Sequence, residues 1–479
     1  MAKTPLLDLQ DIQALVLFGH GQLPHAAFLN LRFGAPAAAK AWLRGIAVTH
    51  AGPRDGAARQ RPAVQLAFTA TGLAVLGLDA AALATFAQEF REGMDADERT
   101  RLLGDTAENA PAGWEFGQGD GVHALLMLYA ADAAALAAVL AGHQADLAAH
   151  GIGVPGGVQG SRPQPFSKEH FGFRDGLSQP AIAGAPGRVT PGETPIPAGE
   201  FVLGYADSYG HVPFSPRVPL AADPQRLLPP TAPDAGSAPG ADLGRNGTYL
   251  VFRKLEQDVA LFWRFMAAHA GGGGPRERRQ AMIALAAKMV GRWPDGTPLV
   301  RSPERPEPAG GAGRARNDFA YHAQDPDGLR CPVAAHIRRA NPRDSLAPDP
   351  QASLAMVRAH RLMRRGRSYG DPLRDRLSGT GDGQRRGLYF IALNASLRRQ
   401  FEFVQQTWIN NPKFDRLSES ADPITAGRDA PPYPSNTMHI PADPVRRRVP
   451  GVPQFVTTRG GGYFFMPGLR ALRWLAGLP

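Results

Sequence analysis

The sequence predicts an α+β fold in two halves, each an antiparallel sheet with helices packed on its outside. Three observations carry this. Segments with strand character lead into segments with helical spacing in both halves of a chain of 479 residues, long enough for two domain-sized units. No period of 20–50 residues recurs, which excludes a solenoid or propeller. Gly 55 and Pro 45 demand long irregular returns between well-formed elements.

In order, residues 14–18 read as a short apolar strand, 36–46 as a helix and 64–68 as a second strand. Residues 80–90 and 95–103 have helical spacing, and 123–129 is a continuous apolar strand. The alanine-rich stretch 132–150 keeps its leucines and valine at helical intervals and is a helix, not low complexity. A loop over 151–165 leads to the run Phe171-Gly172-Phe173-Arg174-Asp175-Gly176. Residues 221–246, rich in Pro, Asp and Gly, form a long connection. The second half repeats the theme: strand 248–255, helices 258–269 and 276–290, a basic Pro/Gly linker over 301–318, strand 387–393 and helix 397–410. A final strand pair over 455–466 is interrupted by Gly460, Gly461 and Gly462.

Composition narrows the function classes. Hydrophobic residues at 43% and charged residues at 20% are ordinary for a globular protein. The net charge of +10 comes mostly from arginines of the C-terminal half, among them Arg314, Arg316, Arg338, Arg339, Arg364 and Arg365. No zinc-finger spacing, basic zipper or RNA-recognition signature accompanies them, so no specific nucleic-acid partner is expected. A single cysteine, Cys331, excludes an internal disulfide and any all-cysteine metal site. The N-terminus lacks an apolar signal core and no window is long enough to span a bilayer, which makes a cytoplasmic protein with no membrane partner the expectation.

Chemistry concentrates in three segments. Asp175 stands on a glycine-hinged turn between aromatics, where a carboxylate can face a cavity and transfer protons; the ordinary alternative is a surface Asp-Gly turn. His336 follows Cys331-Pro332-Val333-Ala334-Ala335, small residues that let a flat ligand approach an imidazole, with Arg338 two residues further on. Most histidines are hydrogen-bonded packing residues instead, and Cys331 offers a rival thiolate. Arg364, after Leu362 and Met363 and before Gly366, sits where an element passes from buried to turning, although most arginines here are solvated.

Together these segments resemble the dye-decolorizing peroxidases, a haem peroxidase family, and in particular its larger fungal and cyanobacterial members. Gly172 to Gly176 matches the family's Gly-x-x-Asp-Gly signature, and residues 11–16, 247–255 and 400–408 are similar to family segments. Ser368 stands where a proline usually precedes the aromatic. The resemblance implies two ferredoxin-like halves: 1–200, carrying the Asp175 loop, and 201–479, holding most of the haem. It implies His336 as the axial ligand of the iron, Arg338 among the cofactor-binding residues, and Asp175 and Arg364 as the catalytic pair. Asp422, with Glu419 as the alternative, is the implied carboxylate partner of His336. Hydrogen peroxide would be reduced and dyes, phenols or similar reductants oxidised by one-electron steps. Trp408 and Tyr369 are candidate surface relays, against ordinary core packing. Haem b is expected because no Cys-x-x-Cys-His motif exists. The competing reading is a non-catalytic haem storage or transfer protein, which would need His336 but not Asp175 and Arg364. Monomer and dimer are both compatible with the sequence.

Overall fold

The computed structural model of the chain describes residues 6–53, 60–117, 119, 121–187, 189, 193–231, 239–307, 317–429 and 434–478. Arg314, Arg316 and the centre of the 301–318 linker lie outside them, as does part of the 221–246 connection.

The N-terminal half contributes four strands: β1 His25–Leu31, β2 Ala63–Phe68, β3 Ala124–Ala130 and β4 Val158–Gly160. A short ribbon, β5 Arg217–Pro219 with β6 Gly240–Asp242, precedes the second half. There β7 Thr248–Gln257, β8 Met363–Arg364, β9 Arg367–Tyr369 and β10 Gly387–Asn394 are followed by a second ribbon, β11 Met438–Ile440 with β12 Arg447–Val449, and by β13 Val456–Met466. The strand order is β4-β1-β3-β2 in the first half and β13-β7-β10-β8 in the second, so each runs last, first, third, second. That antiparallel order, with helical crossovers, is the ferredoxin-like arrangement.

The halves share one nine-stranded sheet, because Phe465 of β13 pairs with Phe68 of β2. The sheet curls on itself: Phe28 of β1 lies 5.3 Å from the Phe252 ring of β7 and 5.1 Å from the Tyr389 ring of β10. Alternation then sorts the side chains. Phe28, Met127, Leu250, Phe252 and Phe464 fill the enclosed core, whereas Leu29, Leu126, Val251 and Phe465 face outward under helices.

Helix ends follow the expected chemistry. Asp132 accepts from Ala135 N to start Ala133–Ala149, and Asp258 accepts from Leu261 N to start Val259–His269. Pro36 and Pro275 occupy first helical positions, where a missing N–H costs nothing.

Four local expectations are corrected. Residues Ala14–Leu17 close a helical turn, with Phe18 N on Ala14 O, because a short apolar run has no period to separate turn from strand. The helix over 80–90 is two pieces, Ala80–Leu83 and Gln88–Glu92; Thr85 between them accepts Arg217 N, and Ala87 N donates to Tyr249 Oη. Residues 397–410 form two π-helical segments, Arg398–Glu402 and Val404–Asn410, not an α-helix. The glycines at 460–462 do not split a strand pair. They lie within one continuous strand with a bulge after Thr458, and they make room for Phe116 and Met94: a Cβ on Gly460 would meet the Phe116 ring at 2.8 Å, and one on Gly461 would meet Met94 Sδ at 2.5 Å. Strand β1 has no counterpart in the sequence reading. No helix among the described residues is long and apolar enough to cross a membrane.

Candidate active site

A cavity of about 710 Å³ lies against the outer face of the C-terminal half of the sheet. Leu255 and Gln257 of β7, Leu388 and Phe390 of β10, and Val456 of β13 form its floor. His336, Asp175 and Arg364 all line it. Three segments separated by up to 189 positions thus converge on one space.

His336 begins the short helix His336–Ala340, just after the tight chain 332–335. Its Nδ1 is 2.9 Å from Asp422 Oδ2. Asp422 is fully buried, and its other oxygen, Oδ1, accepts from Ile424 N at 2.9 Å and Thr425 N at 2.8 Å. Burial alone would raise this carboxyl; the facing imidazole and these hydrogen bonds outweigh it and hold the group at about 2. Burial depresses His336 in turn, but the Asp422 charge and hydrogen bond dominate and raise it above the usual histidine value. An ionised Asp422 keeps the proton on Nδ1 and leaves Nε2 as the free electron pair.

Asp175 is delivered by the turn after Gly172, whose φ of +102° favours glycine. Arg364 Nη1 donates to Asp175 Oδ1 at 2.9 Å, and Gly176 N donates to the same oxygen at 2.6 Å. Arg364 is itself set by β8 pairing with β10, and its backbone N donates to Gln179 Oε1 at 3.1 Å. Burial pushes Asp175 up, yet the guanidinium and the Gly176 hydrogen bond win and hold it below the ordinary carboxylate range. Asp175 is therefore a base well into acid, with Oδ2 left to take a proton.

Several expected residues are placed elsewhere. Arg338 is fully buried and turned from the cavity, donating to Asp325 Oδ2 at 3.2 Å and Cys331 O at 3.0 Å with its guanidinium over the Tyr321 ring. It braces the loop before His336. Glu419 pairs with His439 at 3.0 Å and with Arg448, not with His336. The Cys331 thiol is fully buried, burial pushes it up to about 11, and it is absent from the cavity wall, which removes the rival thiolate. Trp408 and Tyr369 are 3% and 7% exposed, so neither is a surface aromatic. Trp408 packs edge-on against His360 and Phe403.

Sequence reading missed Arg343 and Arg361, which line the cavity beside Arg364. Burial, then the neighbouring Arg343, lower Arg361 to about 10; burial also lowers Arg343, whose Nη1 donates to Phe319 O at 3.0 Å. Arg361 lies three residues before Arg364, but nothing local separates it from the solvated arginines around it.

These residues fit a haem. The volume falls within the range of about 300–1,000 Å³ typical of cofactor and ligand sites. Phe173, Leu177, Val404 and Ile409 give apolar walls, and a carboxylate-backed imidazole could supply one nitrogen ligand. Arg343 and Arg361 supply cations whose crowding an anionic ligand would relieve. No group of three or more His, Cys, Asp or Glu among the described residues could hold a bare metal ion.

The chain is 31% identical to a dye-decolorizing peroxidase of Mycena epipterygia over 451 residues, which span 86% of this chain and 76% of that protein. A dye-decolorizing peroxidase of Mycetinis scorodonius is 28% identical over 435 residues, with the same coverage of 86% and 76%. Among solved structures, the DyP-type peroxidase of the fungus Auricularia auricula-judae superposes with a TM-score of 0.79 at 27% identity, covering 99% of this chain and 100% of that one. A dye-decolorizing peroxidase in complex with 2,6-dimethoxyphenol superposes at 0.77 with 25% identity, covering 98% of this chain and 100% of that one. No family model matches the chain. With the fold, the extent of these matches and the site in agreement, the chain belongs to the dye-decolorizing peroxidases.

Proposed function

We propose that this peroxidase uses haem b to reduce hydrogen peroxide and to oxidise phenols and dyes one electron at a time. The observation that carries the reading is the sharing of one cavity by a carboxylate-backed imidazole and an acid–guanidinium pair. When bound, haem supplies the redox-active iron and conjugated ring that take up the oxidising equivalents of peroxide.

The chain's own residues do the rest. His336, through Nε2, would hold the haem iron, and Asp422 fixes the tautomer and would strengthen the ligand. Asp175 removes a proton from one peroxide oxygen and returns it to the other, the one that leaves as water. Arg364 holds Asp175 in place and stabilises the negative charge that grows as the O–O bond breaks. Arg343 and Arg361, in the cavity wall, would supply cations for the carboxylates of haem. The phenol bound to a structural relative makes 2,6-dimethoxyphenol a suitable reductant for assay.

A haem carrier would need the imidazole alone, so the presence of Asp175 and Arg364 in the same cavity favours the enzyme. The test is oxidation of 2,6-dimethoxyphenol by the haem-loaded protein with hydrogen peroxide. Turnover is expected; haem bound tightly without turnover would favour the carrier. Asp422→Asn removes the charge behind His336 and is expected to weaken haem binding about 10- to 100-fold, read by titrating haem into the apoprotein. An unchanged affinity would remove Asp422 from the cofactor site.

A further inference from the structure

The Asp175 turn is held by a second carboxylate that also lines the cavity, Glu169. Its Oε1 accepts from Phe173 N at 2.8 Å, and its Oε2 accepts from Phe171 N at 2.8 Å and from Gln257 Nε2 at 2.7 Å. Its own backbone closes the same turn, with Glu169 N on Phe173 O and Gly172 N on Glu169 O, both at 2.9 Å. Two of the three donors to the carboxylate are thus backbone groups of the residues leading into Asp175. The third belongs to the last residue of β7, a rigid part of the cavity floor. Trp263 Nε1, on the helix Val259–His269, adds one contact to Phe171 O at 3.2 Å, and Arg364 of β8 holds Asp175 itself.

A glycine-hinged turn has several accessible shapes, and only one places Asp175 Oδ1 on both Arg364 and Gly176 N. Charge-assisted hydrogen bonds are roughly twice as strong as neutral ones, so a carboxylate accepting three of them selects one shape. Burial raises the Glu169 carboxyl, the three hydrogen bonds only partly offset this, and the nearby Asp175 charge adds to the rise. A neutral, well-packed side chain would avoid that cost. The geometry of the turn explains why an anion stands there.

We propose that Glu169 is a positioning residue for the peroxide step, locking the Asp175 turn onto the end of β7 through Gln257. The inference rests on the reading of Asp175 as the proton carrier. It predicts that Glu169 acts on the peroxide half-reaction only. Its carboxylate hydrogen bonds go to Phe171, Phe173 and Gln257, not to His336.

The test is a double-mutant cycle in the haem-loaded protein, following the reaction with hydrogen peroxide by stopped-flow absorption. Glu169→Gln turns amide hydrogens toward backbone donors and is expected to slow the peroxide step about 10- to 100-fold. The haem band and the rate of the reductant step are expected to be unchanged. In an Asp175→Asn background the same substitution should have no further effect, because the group it positions is gone. Gln257→Met, which keeps the bulk and removes the donor, should repeat the pattern more weakly, and it covers the case in which Glu169→Gln does not fold. An additive loss in the double variant, or equal slowing of both half-reactions, would overturn the inference. So would full activity in Glu169→Gln while Asp175→Asn is slow. A fast Asp175→Asn protein would instead overturn the reading of Asp175 itself.

Discussion

Asp175→Asn is expected to slow the reaction with hydrogen peroxide about 10²- to 10⁴-fold, the usual contribution of a positioned acid–base group. The amide keeps the shape of the carboxylate and can still accept from Arg364 and Gly176 N through its oxygen, so the turn should survive. What it cannot do is take a proton from one peroxide oxygen and hand it to the other. The loss should therefore fall on the peroxide step, with the haem absorption band and the melting temperature close to those of the unaltered protein. Stopped-flow mixing with peroxide reads the step directly. A rate within a few-fold of the original would remove Asp175 from the chemistry.

Arg364→Leu should cost about 10²–10³ in the same step, the typical loss for one donor aimed at developing charge. It has a second signature in pH. Burial pushes the Asp175 carboxyl up, and the guanidinium is the main force holding it below the ordinary range. The base form exists above the folded pKa and is lost as pH falls through it. With the guanidinium in place, the peroxide step should persist in acid down to below about pH 4, the ordinary value for an aspartate. Without it, the pKa rises, and the acid limb of the rate profile moves to higher pH. A rate loss with no movement of that limb would mean Arg364 acts on the reacting oxygens alone.

Much of the site was legible because its chemistry is written in contiguous residues. Gly172 to Gly176 encodes a turn that presents an acid, and the small residues before His336 encode close approach to a flat ligand. Asp422 was legible only through the resemblance, since 86 residues separate it from His336 and nothing in its own neighbourhood marks it. Arg343, Arg361 and Glu169 were not singled out. An arginine becomes a cavity cation only when other elements bury it, and Glu169 matters through backbone groups that any residue carries. Arg338 was misjudged for the converse reason: proximity to His336 in the chain does not fix direction, and Asp325 and Tyr321 draw it the other way.

The fold shows the same division. Strands such as Ala124–Ala130 announce themselves by an unbroken apolar run. His25–Leu31 is equally buried but shorter in apolar character, with Asn30 inside it, and only its neighbours β3 and β4 make it a strand. The glycines of β13 signal interruption locally, yet Phe116 and Met94 need the space that they leave. The curl that brings Phe28 onto Phe252 and Tyr389 is a property of the whole sheet and has no local signature.

The most direct test is the absorption spectrum of the protein reconstituted with haem, compared with that of His336→Ala. An imidazole-ligated ferric haem should give an intense band in the violet for the original chain, while His336→Ala should retain little haem or show a shifted, weakened band. A chain that stays colourless after reconstitution, or an alanine variant with an undiminished band at the same wavelength, would contradict the account.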